Sequence, residues 1–271
     1  MSPRIDPSLL ARIEKRLPGF TSGSLTPLHG LTGQSRKLEN GQGAFIVRPA
    51  PQPPIPFVDR QREVRLLRKL SASGLTPRPL MGDAQLLVLP WQNGELLSAE
   101  AFQQRRDEVV MLLLRLHRQP LTGHVLHLLP LLERYWQLCQ QRHVRWQRAL
   151  RRLQRAGEPR PLRLAPLHMD VHSGNLVADE NGLHLIDWEY AADGDIALEL
   201  AALCAAAPGH KDSWLESYAQ AAQLSPVRLA RQAARWQPWL HLLMASWYQL
   251  RAEQSADEQM HRLARQSWQY I

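Results

Sequence analysis

The stretch Asn175–Trp188, "NLVADENGLHLIDW", constrains this chain more than any other. Two short apolar runs, "NLVAD" and "LHLIDW", are separated by Glu180-Asn181-Gly182. A three-residue hairpin loop with Gly at the left-handed position is a common connection. Such a loop sets Asp179 opposite Leu183 and, counting outward, Asn175 opposite Asp187. Cross-strand Cβ atoms lie roughly 4.5–5.5 Å apart. One amide oxygen and one carboxylate therefore converge at the open end of the hairpin. Asp170 stands five residues upstream of Asn175, on the loop that feeds this end.

That loop, "HMDVHSGN", runs from His168 to Asn175. His-x-Asp-x-His suggests zinc, but a zinc centre needs further His or Cys ligands. His117, His124 and His127 show no supporting spacing. A purely structural polar turn is the bland alternative. Asn175 and Asp187 are hard oxygen donors suited to Mg²⁺ completed by phosphates and waters, which leaves Asp170 free to accept a proton. The residues favour Mg²⁺-phosphate chemistry over the other two readings.

The remaining sequence supplies an α+β layout. Over residues 1–90, "QSRKLEN" and "GAFIVRP" flank Asn40-Gly41, a strong hairpin signal. "PAPQPPIP" follows, a connector no helix enters, then a helix over 57–70 and two strands around Gly82-Asp83. This reads as a small β-sheet-plus-helix lobe. Over 91–271 the chain is mainly helical, with helices expected at 98–118, 128–155, 195–206, 211–222 and 226–253 and another near the C-terminus. The short connector Pro90–Gly94 joins the two regions.

Within the first region "GLTGQS" offers Gly30, Gly33 and Ser35 between strand-like runs, a loop able to fold over phosphates through its N–H groups. Glu63 shares a helix face with Leu66, Leu67 and Leu70. A carboxylate on an apolar stripe needs a partner, and Arg48, at the end of "FIVR", is the obvious one.

Two cysteines in 271 residues cannot build a disulfide framework. With no signal-peptide run and no apolar segment long enough to span a bilayer, a cytoplasmic protein without membrane attachment is expected. The formal charge is +8, much of it between Arg142 and Arg163. A solvated helix face explains that run most simply, and an anionic partner such as nucleotide phosphates is the alternative. No zinc-finger spacing or RNA-binding motif is present, so no nucleic-acid partner is expected.

H-x-D-x-x-x-x-N at His168, Asp170 and Asn175, followed by Ile186-Asp187-Trp188, resembles the aminoglycoside phosphotransferase/choline kinase family. The wider stretch "EPRPLRLAPLHMDVHSGNLV…GLHLIDWEYAADGDIALELAAL", with "LLPLLERYW" at 128–136, resembles its thiamine-phosphorylating branch. The resemblance implies a bilobal protein-kinase-like fold, with a nucleotide-binding lobe at 1–90 and a catalytic and substrate-binding lobe at 91–271. It also implies ATP and Mg²⁺ as cofactors, with Pro90–Gly94 as the hinge whose backbone meets adenine. By motif position Asp170 is the catalytic base and Asn175 and Asp187 are the metal ligands. Arg48, paired with Glu63, takes the place of the usual phosphate-binding Lys, beside Gly30, Gly33 and Ser35. His168 is expected to brace the loop by hydrogen bonding.

The implied substrate is a small alcohol, thiamine first; choline, ethanolamine, an amino sugar or an aminoglycoside are the alternatives. A catalytically silent nucleotide-binding module is the reading from another class. A quaternary cation favours aromatic faces and a nearby carboxylate, which makes Trp188, Glu189 and Trp136 candidate substrate contacts. Asp193, Asp195 and Glu199 in "DGDIALELA" are expected to be mainly structural, with Asp195 capping a helix.

Overall fold

The computed structural model describes residues 6–28, 35–255 and 257–271. It divides into two compact units, Met1–Leu97 with Gly174–Ala191, and Ser98–Ser173 with Ala192–Ile271. The sheet-bearing unit thus runs past residue 90 and also takes in the hairpin that carries Asn175 and Asp187.

The first unit opens with α1 (Pro7–Arg16), capped by Asp6, whose carboxylate accepts from the Ser8 N–H at 2.8 Å. Strands β1 (Ser24–Pro27), β2 (Arg36–Asn40) and β3 (Gly43–Pro49) follow, then α2 (Arg60–Leu70), β4 (Met81–Gly82) and β5 (Leu86–Pro90). The five strands form an antiparallel sheet in the order β1-β2-β3-β5-β4. Ile13, Phe20, Leu38, Val47, Met81, Leu86 and Val88 pack together against it. Helix α2 begins at Arg60 rather than 57, because Asp59 caps it by accepting from the Arg62 N–H at 3.1 Å.

The same unit holds a second sheet, β6 (Glu95–Leu96), β8 (Leu176–Asp179) and β9 (Gly182–Leu185), in the order β6-β8-β9; β7 (Leu164–Leu167) belongs to the other unit. The expected hairpin is present, but its register differs by one residue. Asp179 pairs with Gly182 and Leu176 with Leu185. The loop is Glu180-Asn181, and Asp179 closes it by accepting from the Asn181 N–H at 2.7 Å. A side-chain turn of this kind replaces the third loop residue. Asn175 consequently faces Ile186, whose N–H donates to the Asn175 carbonyl at 3.0 Å. The Asn40 hairpin uses the same device: Asn40 pairs with Gly43 and its side chain accepts from Gln42 N–H at 2.8 Å.

The second unit holds α3 (Ala99–Gln104), α4 (Arg106–His117), α5 (Leu128–Leu138) and α6 (Val144–Ala156). It continues with β7 (Leu164–Leu167), β10 (Ala192–Asp195), α7 (Ile196–Ala206), α8 (Lys211–Ala222), α9 (Pro226–Gln254) and α10 (Glu258–Ser267). Strands β7 and β10 form an antiparallel pair. The helix expected over 128–155 is two helices. His143 caps α6 by accepting from Trp146 N–H at 3.2 Å, while Glu253 of α9 accepts from Gln140 and Gln141 N–H at 2.7 and 2.9 Å. The helix expected over 98–118 likewise breaks, at Arg105. Trp236, Trp239 and Leu240 of α9 are core residues, and Cys139 and Cys204 are free and buried. Among the described residues no helix is long and apolar enough to cross a membrane.

Candidate active site

In the first unit β3 delivers Arg48 into the interior, where its guanidinium meets three carboxylates. Nη1 donates to Glu63 Oε1 at 3.0 Å; Nη2 donates to Glu189 Oε2 at 2.8 Å and to Asp187 Oδ1. Arg60 closes the array from the first turn of α2, reaching Glu63 Oε2 at 2.6 Å and Glu189 Oε2 at 3.1 Å. Arg60 Nε is spent on the Pro49 carbonyl at 3.1 Å, and Arg62 Nη2 donates to the Glu189 carbonyl at 2.6 Å.

Arg48, Arg60, Glu63 and Glu189 are all buried. Such charges survive desolvation only when paired, and here each guanidinium bridges both glutamates. Burial disfavours the Arg48 cation, but Asp187, Glu63 and Glu189 outweigh it and hold its pKa above the ordinary value. Burial and the Asp187 charge push the Glu189 carboxyl upward against Arg48 and Arg60. The expected Arg48–Glu63 pair therefore exists, as part of a larger cluster. Arg60 escaped the sequence reading, although its signal was present: it precedes Glu63 by three residues on the same helix face.

Asp187 sits in the left-handed region at φ 65°, leading into a single 3-10 turn, Trp188–Tyr190. Unlike the buried glutamates, its side chain is 37% exposed, so part of the carboxylate faces outward. Asn175 ends the 3-10 turn Ser173–Asn175 and is largely buried. Ser35 accepts the Leu28 N–H on its carbonyl at 3.0 Å. Gly30 and Gly33 lie outside the described residues. At the end of the expected hinge Gly94 has φ +126°, and an added Cβ would stand 2.3 Å from the Ala178 carbonyl oxygen, so only glycine fits.

The three candidate substrate contacts are placed differently from expectation. Trp188 is buried, its indole N–H donating to the Leu185 carbonyl at 3.0 Å. Glu189 is enclosed by Arg48 and Arg60, both of which donate to its Oε2. Trp136, on α5, stacks edge-on to Trp146 at 5.3 Å with the Arg142 guanidinium 5.6 Å over its ring. Trp188 and Glu189 are thus enclosed within their unit, whereas Trp136 is half-buried.

The second unit carries Asp170. Its backbone N–H donates to His168 Nδ1 at 3.3 Å, and His172 Nε2 lies 3.7 Å from its carboxylate. His168 is fully buried and braces the loop from within. Met169 adopts φ 66°, a left-handed conformation costly for a side chain of its size. Glu199 of α7 explains how that turn is held. Its Oε1 accepts the N–H groups of both His168 and Met169, at 2.8 and 2.6 Å. Its Oε2 lies 2.7 Å from His117 Nε2, and His117 Nδ1 lies 2.6 Å from the Tyr218 hydroxyl. Arg163 donates to the Tyr218 oxygen at 3.3 Å. One donor order satisfies every atom: Arg163 to Tyr218, Tyr218 to His117, His117 to Glu199.

Asp193 and Asp195 are structural as expected. Asp193 accepts from Thr122 N–H and Gly123 N–H at 2.8 and 2.7 Å, and Asp195 caps α7 while accepting from Trp236 Nε1 at 2.9 Å.

Comparison with known proteins decides what this arrangement belongs to. The model of the phosphotransferase enzyme family matches residues 24–239. The chain belongs to this family. A curated relative, the thiamine kinase of Escherichia coli O17:K52:H18, is 43% identical over 244 residues, covering 89% of this chain and 88% of the relative. Among solved structures, LicA in complex with AMP superposes with a TM-score of 0.79 at 18% identity, covering 98% of this chain and 97% of that one. The choline kinase LicA from Streptococcus pneumoniae gives 0.76 at 18% identity over 98% and 99%. The fold of this phosphotransferase is thus the α+β, protein-kinase-like one, and the chain is an enzyme.

A kinase of this family uses ATP as its phosphate donor. The oxygen donors on the hairpin fit a Mg²⁺ companion to it. Mg²⁺ keeps several waters and takes one or two protein oxygens beside phosphates, and the Asn175 amide with the partly exposed Asp187 carboxylate is such a set. Among the described residues no group of three or more His, Cys, Asp or Glu forms a metal cluster, the arrangement a zinc centre would need.

Proposed function

We propose that this phosphotransferase transfers the γ-phosphoryl group of ATP to the hydroxyethyl oxygen of thiamine, giving thiamine monophosphate. The observation that carries the reading is the 43% identity to a thiamine kinase across nearly the whole of both chains. In this reading Asp170 accepts the proton of the attacking hydroxyl and orients it for in-line displacement. Asn175 and Asp187 hold Mg²⁺, which when bound neutralises charge developing on the phosphates. Arg48 contributes positive charge beside Asp187, kept rigid by Glu63 and Glu189. The N–H groups of the loop containing Gly30, Gly33 and Ser35 receive phosphate oxygens.

Tyr248 is our candidate for the thiazolium contact. It lies half-buried on α9 with its ring edge-on to Trp247 at 5.1 Å, and burial together with the Asp170 charge pushes its hydroxyl up in pKa. An aromatic face within electrostatic reach of the proposed base suits a ring cation. The test is turnover with Mg·ATP and a panel of thiamine, choline, ethanolamine, homoserine and kanamycin. Thiamine should give the highest kcat/KM by at least about tenfold, a difference of about 1.4 kcal/mol. A higher value for any other acceptor overturns the substrate assignment.

A further inference from the structure

The second unit carries a charged groove that shares no residue with the proposed catalytic set. It follows α6 and is lined by Val144, Arg145, Arg148, Ala149, Arg152, Arg155 and Ile271, with a volume of about 670 Å³. Helix α6, "VRWQRALRRLQRA", holds five arginines and no acidic residue. Arg145, Arg148, Arg152 and Arg155 are exposed, and among the described residues none of them forms an ion pair. Of the carboxylates on neighbouring segments, Glu133 reaches α6 but accepts from Gln154 at 2.8 Å, and Glu158 accepts the Leu129 N–H at 2.7 Å; neither pairs with an arginine of the row.

The spacing i, i+3, i+7, i+10 sets the four guanidiniums in one row along the helix. At 1.5 Å rise per residue the row is about 15 Å long. Like charges three and four residues apart repel and cost helix stability. A solvated surface helix usually relieves that repulsion with interspersed Glu, and α6 has none. The row is also partly preorganised, since Arg145 Nη1 is fixed by the Trp268 carbonyl at 2.9 Å.

We propose that this groove binds a polyphosphate-bearing small molecule, with phosphates on the arginine row and its uncharged portion against Val144, Ala149 and Ile271. Guanidinium forks match phosphate oxygens bidentately, and successive forks suit consecutive phosphates. The volume lies in the range of small-molecule sites, roughly 300–1,000 Å³. An acidic partner helix would need an apolar seam between the charges, and the row supplies only Ala149 between its arginines.

The experiment titrates the full chain with inorganic tripolyphosphate, without divalent cations, following tryptophan fluorescence from Trp146 and Trp268 beside the row. The comparison protein is Arg148→Gln/Arg152→Gln. Both side chains are exposed and the change removes repulsion, so its circular dichroism and melting temperature should match or exceed the unmodified protein's. Saturable binding that weakens at least tenfold in the double variant, with the KM for ATP unchanged, supports the site. Equal affinity in the two proteins overturns it. A single-stranded 12-mer or an acidic peptide binding the row tenfold more tightly than tripolyphosphate also overturns it, because the occupant would then be a macromolecule.

Discussion

Arg48 and Glu63 form a buried ion pair of 3.0 Å in which neither side chain is more than 3% exposed. The pair matters less for attraction than for balance. Arg48 and Arg60 set two positive charges directly against the carboxylates of Glu63, Glu189 and Asp187, and the Arg62 guanidinium adds a third within reach of both glutamates.

Removing Arg48 takes a direct cation away from all three carboxylates, whereas neutralising Glu63 removes one negative charge and leaves Glu189 still paired with both arginines. Arg48→Met should therefore lose about 3–5 kcal/mol of stability, the usual consequence of orphaning buried charge. Glu63→Gln should lose about 1–3 kcal/mol, the scale of a compromised buried hydrogen bond. Urea unfolding of both variants checks the order. For catalysis, Arg48→Ala and Glu63→Ala should be strongly non-additive in a double-mutant cycle, as coupled groups are; independent effects would show that the pair does not act as a unit.

Asp187→Ala separates chemistry from stability. It removes one of the three carboxylates on buried Arg48 but leaves Glu63 and Glu189 paired with it, so unfolding free energy should fall by less than in Arg48→Met. Mg·ATP-dependent turnover should fall by at least about 10³-fold, corresponding to the several kcal/mol a metal-bound phosphoryl group gains. Near-normal turnover in this variant would remove Asp187 from the metal site.

Much of this was readable from residue spacing. The Arg48–Glu63 pair followed from a carboxylate on an apolar helix stripe, and the hairpin from its two apolar runs. Its register did not, because Asp179 substitutes a side-chain acceptor for a loop residue, and no periodicity reveals that choice. The break between α5 and α6 was hidden for a similar reason: no Gly or Pro marks it, and the freed amides are taken by Glu253, more than a hundred residues away. Glu189 and Trp188 looked like substrate contacts because they adjoin Asp187 in sequence. The 3-10 turn after Asp187 instead accompanies their burial, and adjacency along the chain says little about direction.

Glu199 should govern the geometry of the Asp170 loop. Glu199→Ala leaves the His168 and Met169 N–H groups without their acceptor, and a misplacement of about 1 Å costs on the order of 10²-fold in rate. Glu199→Gln keeps an oxygen for both N–H groups and permits a reversed hydrogen-bond order through His117, so it should lose less than about tenfold. In each variant kcat should fall while the KM for ATP stays constant. A pure stability defect with normal kcat in the folded fraction would exclude the positioning role.

Tyr248→Leu should raise the KM for thiamine about tenfold, since a cation–aromatic contact in a desolvated site contributes about 1–2 kcal/mol. The KM for ATP should stay within about twofold. Equal increases for both substrates would indicate a general distortion of α9 rather than lost acceptor recognition.

The most direct test of the whole account is mass detection of thiamine monophosphate from thiamine and Mg·ATP, run with the unmodified protein and with Asp170→Asn. The account predicts stoichiometric ADP and thiamine monophosphate from the unmodified protein, and a rate at least about 10²-fold lower from a folded Asp170→Asn. Thiamine monophosphate formed equally fast by both proteins would contradict the role of Asp170, and its absence from the folded, unmodified protein would contradict the proposed function itself.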